Sequence, residues 1–263
     1  MSEAPQAEPG GRRGYDLQIR HLKDRGVQLG EFAFAMFRDG WRAFDQGDLE
    51  AAQLVLDRGD ELDRLDEDME HAAIAFMVLR QPTAVDLRTA AALLKITTHC
   101  DRIGRLGFDM ARITSAGPGN EPPELRSLLQ RMDEAVESMV RQALDALDRD
   151  QVELARSLFK RDDLVDQMHR QANRMIVTQL QRDPSLAPRL ANDLLVARHF
   201  ERIADNACKV GEKTIYALTG QRRSEYLPRH PTRPYVLETP RSESSNTTGS
   251  TAGRSRSSGT KAP

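Results

Sequence analysis

Along most of the chain apolar residues return at steps of three and four, the spacing of one buried helical face. The sharpest case is Val196, Phe200, Ile203, Ala207 and Val210, continued by Thr214 and Ala217. One residue later runs a second row: Glu201, Asp205, Cys208 and Glu212. At about 100° per residue this row lies on the shoulder of the buried stripe, at the edge of whatever the helix packs on.

The same periodicity predicts a first helix from Asp16 to about Asp45, with Gly26, Gly30 and Gly40 as sites of close helix approach. Asp48 caps a second helix that runs unbroken to about Arg80, with Leu62, Leu65, Met69, Ala72, Phe76 and Leu79 inward. Asp63, Asp66 and Glu70 line its shoulder. After Gln81-Pro82, Thr83 with Asp86 three residues on caps a third helix, which turns Leu93, Ile96, Cys100, Ile103 and Met110 inward. Residues 117–123, with Gly117-Pro118-Gly119-Asn120, form the linker. A fourth helix follows from about Glu124 to Leu147. A fifth begins near Asp150 and carries Asp162, Asp166, His169 and Asn173 on its shoulder, and the sixth ends at Gly220.

His99-Cys100-Asp101-Arg102-Ile103-Gly104 is written again one hundred residues later as His199-Phe200-Glu201-Arg202-Ile203-Ala204. A repeat of that length is a duplicated small domain rather than a solenoid unit. The expected fold is therefore all-α: two tandem three-helix bundles of long antiparallel helices, residues 16–116 and 124–220, between a flexible N-terminus (1–15) and a tail (221–263).

Composition agrees, with 5% aromatic and 30% charged residues in a chain of 263. Charge is divided unevenly. Residues 221–263 hold eight Lys/Arg against three Asp/Glu, whereas residues 1–220 hold 30 against 37. An acidic core counts against nucleic-acid binding, and the tail is too polar to build a core and is expected to be disordered. No secretory signal and no apolar run of membrane-spanning length is visible. Two cysteines on different helices, Cys100 and Cys208, fit a reducing compartment, so a cytoplasmic location is expected.

Antiparallel helices that share a core bring their shoulders out on one side. Asp162, Asp166 and His169 are thus expected to face Glu201 and Asp205 across a groove, with Asp63, Asp66, Glu70 and Asp101 in the matching groove of the first half. Oxygen-rich clusters with an imidazole suit magnesium, manganese, iron or, less specifically, zinc. The competing reading is a solvated acidic face. In the first half Arg105 is expected to enter the groove and stand in for a cation, leaving the second half as the favoured metal site. Cys208 reads as packing volume, and His99 and His199 as surface or partner-contact residues. No nucleotide loop or nucleophile grouping is present and no organic cofactor is expected.

Several motifs resemble the PhoU family, accessory regulators of high-affinity phosphate uptake. Glu201-Arg202-Ile203-Ala204-Asp205 looks like the family's acid-Arg-Ile-small-Asp signature and Asp101-Arg102-Ile103-Gly104 like its first copy. Arg80–Arg88 is similar to its hinge, and Asp162-Asp163-Leu164-Val165-Asp166 to its second acidic motif. The resemblance covers about residues 16–220. It implies multinuclear metal on the acidic faces, a homodimer, no enzymatic activity, and negative regulation of a phosphate ABC transporter through its ATPase and of a phosphate sensor histidine kinase, at the membrane only through those partners. The alternative class is a metal-dependent helical-bundle enzyme, a di-iron oxidase or a hydrolase, since Asp166-x-x-His169 is similar to the acid-x-x-His step of di-iron bundles.

Overall fold

The computed structural model describes residues 9–80, 82–115 and 121–226. Among them there are nine α-helices and no strands: α1 (Pro9–Gln46), α2 (Leu49–Leu56), α3 (Gly59–Arg80), α4 (Ala84–Arg112), α5 (Pro123–Asp148), α6 (Val152–Ser157), α7 (Phe159–Arg182), α8 (Ala187–Thr219) and α9 (Arg223–Tyr226). A 3-10 turn, Pro184–Leu186, leads into α8. The all-helical, duplicated architecture is the one the periodicity predicts.

Local signals account for several ends. Asp48 accepts from the amides of Glu50 and Ala51, both at 3.0 Å. Thr83 caps α4 through the Asp86 amide and donates to its carboxylate at 2.7 Å, and Gly220 closes α8 in the left-handed region at φ 76°. Four features differ from expectation. The first helix starts at Pro9, not Asp16, with proline in the first turn where its missing N–H costs nothing. The second and fifth helices are each broken, at Asp57–Arg58 and at Leu158. At the second break the Gln142 amide donates to the Leu154 carbonyl at 2.8 Å, which satisfies a backbone group near the kink. Finally, α9 lies in the expected tail, where Tyr226 packs on Phe159 with ring centroids 6.0 Å apart. Residues 1–8, 116–120 and 227–263, which include most of the expected linker and tail, lie outside the described residues.

The duplication is visible in the backbone. The Asp48 amide bonds the Ala43 carbonyl at 2.9 Å, and the Gln151 amide bonds Ala146 at 3.0 Å. The residues before them, Gly47 (φ 64°) and Asp150 (φ 55°), both take the left-handed conformation. Lys23 holds Asp150 across the halves at 2.9 Å. From α1 to α3 the two halves are thus related by 103 residues, and in α4 and α8 by one hundred.

α1, α4, α8 and α5 pack in a closed central layer, flanked by α2 and α3 on one side and by α6 and α7 on the other. α4 and α8 run antiparallel in a fixed register: Arg88 Nε donates to Ala217 O at 3.3 Å, His99 Nδ1 meets Asn206 Oδ1 at 3.0 Å, and the Asn192 amide donates to Ile113 O at 3.2 Å. His99 and His199 are therefore interface residues, not surface ones; His199 is buried, and burial lowers the affinity of both rings for a proton.

One core runs through both halves. Phe200 of α8 meets Trp41 edge-on at 5.0 Å and Phe37 at 6.1 Å, both from α1. α1 and α4 touch backbone to backbone where Gly40 faces Gly107: a Cβ on either would enter the other helix's main chain. The matching positions of the second half carry Ala143 and Ala207. Leu79, expected inside, is 76% exposed, because α3 outruns the core at its C-terminal end.

Candidate functional site: two acidic grooves

Each flanking helix forms a groove with its central neighbour, α3 with α4 and α7 with α8. In the second groove α7 supplies Asp162, Asp166 and His169 and α8 supplies Glu201 and Asp205. The four carboxylates act on one another. Burial first, then the charges of Asp205 and Asp166, push the Asp162 carboxyl up to about 6, against the pull of Arg223. Glu201 is likewise pushed up to about 6 by burial, opposed by Arg198 and reinforced by Asp205, Asp166 and Asp162.

Two arginines that the sequence reading did not single out rim this groove. Arg198 bonds Glu201 Oε1 at 2.8 Å, and Arg170 stands 3.8 Å from Asp166. Both lie at helical i+3 or i+4 spacing from the acid they touch, which was the available signal. Glu201 Oε2 is buried and makes no hydrogen bond. His169 is buried, with the Asn173 amide 3.2 Å from its Nε2. Burial, then Arg198 and Arg170, hold its imidazole down to about 4, so it is neutral at physiological pH. Cys208 is buried beside Asp162 and Asp205, and burial followed by those charges raises its thiol far above the usual range. It packs as an inert thiol.

In the first groove Arg105 reaches across. Its guanidinium pairs with Asp63 of α3 and, through Nε, with Asp101 of its own helix at 3.2 Å. Asp66 is raised by burial and then by Glu70 and Glu67. Asp101 is pushed up to about 6 by burial and then Asp66, against Arg102.

With the register known, the grooves can be overlaid. Gly59 stands where the second half has Asp162, Asp63 matches Asp166, Asp66 matches His169, and Glu70 matches Asn173. On the other helix Arg105 replaces Asp205 and Phe108 replaces Cys208. The Phe108 ring lies 3.2 Å from the point a Cβ at Gly59 would occupy, so the aromatic fills the space that the missing carboxylate leaves.

The oxygen-rich donor set, with a neutral imidazole and an orphaned Glu201 oxygen, suits a hard cation in the second groove. As the side chains stand, no three His, Cys, Asp or Glu among the described residues converge tightly enough to enclose an ion. Loading would therefore need these side chains to rotate toward a common point.

A second polar cluster, unforeseen in the sequence, clamps the halves at the α5 end. Arg189 of α8 pairs with Asp193 at 3.3 Å and Glu121 at 3.2 Å, while Arg126 holds Asp45 at 3.0 Å. Asp193 is fully buried, and its carboxyl is pushed up to about 7 by burial, with Arg189 opposing, Glu121 adding and Arg126 opposing.

Fold and grooves define a class: an all-helical protein of two duplicated three-helix units, each with a carboxylate groove on its outer side. The PhoU domain family matches residues 27–114 and 129–214, one match per unit, and the chain belongs to that family. It is 30% identical over 208 residues to the phosphate-specific transport system accessory protein PhoU homolog of Rhizobium meliloti, covering 78% of this chain and 87% of the relative. The corresponding homolog of Caulobacter vibrioides is 29% identical over 221 residues, covering 82% of this chain and 95% of the relative. Among solved structures, PhoU from Pseudomonas aeruginosa superposes with a TM-score of 0.73 at 26% identity, covering 79% of this chain and 100% of that one. The phosphate transport system regulatory protein PhoU from Streptococcus pneumoniae gives 0.72 at 23%, covering 79% and 98%. Among the described residues no helix is long and apolar enough to cross a membrane.

Proposed function

We propose that this chain is an accessory regulator of phosphate uptake that acts by contact, in the cytoplasm, as a negative regulator of a phosphate ABC transporter and its sensor histidine kinase. The observation that carries the reading is the family match on both helical units, together with relatives named as accessory proteins of the phosphate-specific transport system. The acidic surface of residues 1–220 supports a basic docking patch on the transporter ATPase or the kinase, and such an encounter weakens with salt.

In this reading the second groove holds metal through Asp162, Asp166, His169, Glu201 and Asp205. The ion would neutralise carboxylates that otherwise repel one another. The first groove, closed by Arg105, holds little or none. The protein works as a homodimer, and chemistry on a substrate is no part of its action.

Deletion of the gene is expected to raise phosphate-starvation reporter expression in phosphate-replete medium, with restoration by the wild-type chain. Unchanged reporter and phosphate uptake in the deletion strain, together with steady turnover of a substrate by the metal-loaded protein, would sink the regulatory reading. Light scattering on the purified protein tests the dimer.

A further inference from the structure

Where α4 begins and α8 ends, a pocket of about 290 Å³ opens between the two helices and the turn into α9. Ala91, Ala92 and Tyr216 form an apolar wall, while Lys95, Lys213, Arg222 and Arg223 supply four cations against one carboxylate, Glu212. This is the reverse of the balance in residues 1–220, where acids outnumber bases. Glu212 is already engaged, accepting from Lys213 at 3.0 Å and Lys209 at 3.3 Å. Burial alone would raise its carboxyl, but those two lysines outweigh burial and hold it below the usual range. Lys95 and Arg222 make no ion pair among the described residues. Arg223 lies over the Phe159 ring, 5.8 Å from its centroid. The pocket therefore keeps an excess of positive charge facing a volume at the lower limit of small-molecule sites.

We infer that this pocket binds a phosphoryl anion, and specifically a small organic phosphate whose body lies on Tyr216 and the alanines while its phosphate meets Lys95, Lys213, Arg222 and Arg223. Guanidinium groups match phosphate oxygens in paired hydrogen bonds, and lysines add mobile charge. A bare phosphate would leave most of the volume to water and the Tyr216 face unused. Glu212 sets selectivity: it opposes anions and offers an acceptor to a ligand hydroxyl or amine.

The inference stands on the pocket and not on the regulatory reading, so a negative reporter experiment leaves it intact. The test is titration calorimetry on the full chain in chelator-treated buffer with adenosine monophosphate, inorganic phosphate and adenosine as separate probes. The nucleotide is expected to bind, inorganic phosphate more weakly, and adenosine not at all. Lys95→Gln with Lys213→Gln should weaken the nucleotide at least about tenfold with an unchanged circular dichroism spectrum, and Glu212→Gln should tighten it. Inorganic phosphate as tight as the nucleotide would keep the anion site and overturn the organic occupant. No saturable binding of either phosphate at millimolar concentration, adenosine binding as well as its monophosphate, or a folded double variant that binds like the wild type would each overturn the proposal.

Discussion

The two grooves are built on one scaffold and differ in whether a guanidinium bridges their two helices. In the first, Arg105 bridges Asp63 and Asp101 and Phe108 covers Gly59, while burial and Asp66 still push the Asp101 carboxyl up to about 6. In the second, Asp162 and Glu201 are both pushed up to about 6 by burial and by neighbouring acids, and each arginine pairs with an acid of its own helix. A duplicated fold can thus change the charge of one copy of a groove through a handful of substitutions, among them those at Gly59, Arg105 and Phe108. The difference says where a ligand has something to gain, because a cation added to the second groove relieves repulsion at Asp162 and competes with Arg198 for Glu201, whereas one added to the first must displace the guanidinium that ties its two helices together.

The largest expected effect is on the core that joins the two halves into one body. Phe200→Ala removes the ring that α8 inserts against α1 and should cost about 3–5 kcal/mol. Urea unfolding followed by Trp41 fluorescence and by circular dichroism should still give coincident transitions. Separate midpoints would mean that each half melts alone. Next in size is the crossing asymmetry. Gly107→Ala drives a methyl into the α1 backbone and should cost about 1–3 kcal/mol, while Ala207→Gly in the second half should cost only about 1 kcal/mol. Equal losses in thermal melts would show that the two crossings are alike.

Metal content sharpens the contrast directly. Glu201→Gln with Asp205→Asn should remove most bound metal in elemental analysis, whereas Asp101→Asn should remove little. Arg105→Asp alone should not restore the first groove, since Gly59 and Phe108 still differ. The triple change Gly59→Asp, Phe108→Cys, Arg105→Asp should add a second equivalent. The smallest effect is in pH. Glu201 has a raised folded pKa, so the folded state keeps a proton that the unfolded state has lost, and this stability is present at low pH and lost as pH rises through about 6. Metal-free Glu201→Gln should therefore be the more stable protein at pH 7.5, by on the order of 1 kcal/mol, and the gain should vanish near pH 4. A gain that persists at low pH would assign it to packing.

The sequence made the buried stripes legible because one face of each long helix is apolar for many turns, and the same regularity exposed the shoulders that carry both grooves. It gave away Arg105 for the same reason, an acid and a base four residues apart on one helix. What it hid depends on neighbours. The break at Asp57–Arg58 has only Gly59 beside it, and the break at Leu158 has no proline or glycine at all; there the signal is a glutamine on another helix. His99 and His199 looked peripheral because nothing local states that α4 lies on α8. The overlay of Gly59 with Asp162 needed the turn geometry at Gly47 and Asp150, which sets a register different from the one the His99 and His199 motifs share.

Phe200 is also the last part of its aromatic cluster to be synthesised. Trp41 and Phe37 are synthesised early, and the ring that covers them arrives only with the last long helix. At ribosomal speeds the interval is on the order of 10 s. Over that time α1 has α4, and then α5, to pack on, but Trp41 and Phe37 lack the ring that covers them. The nascent first half is thus a client for any chaperone that reads exposed aromatics, and a chain truncated before α8 should accumulate in that form.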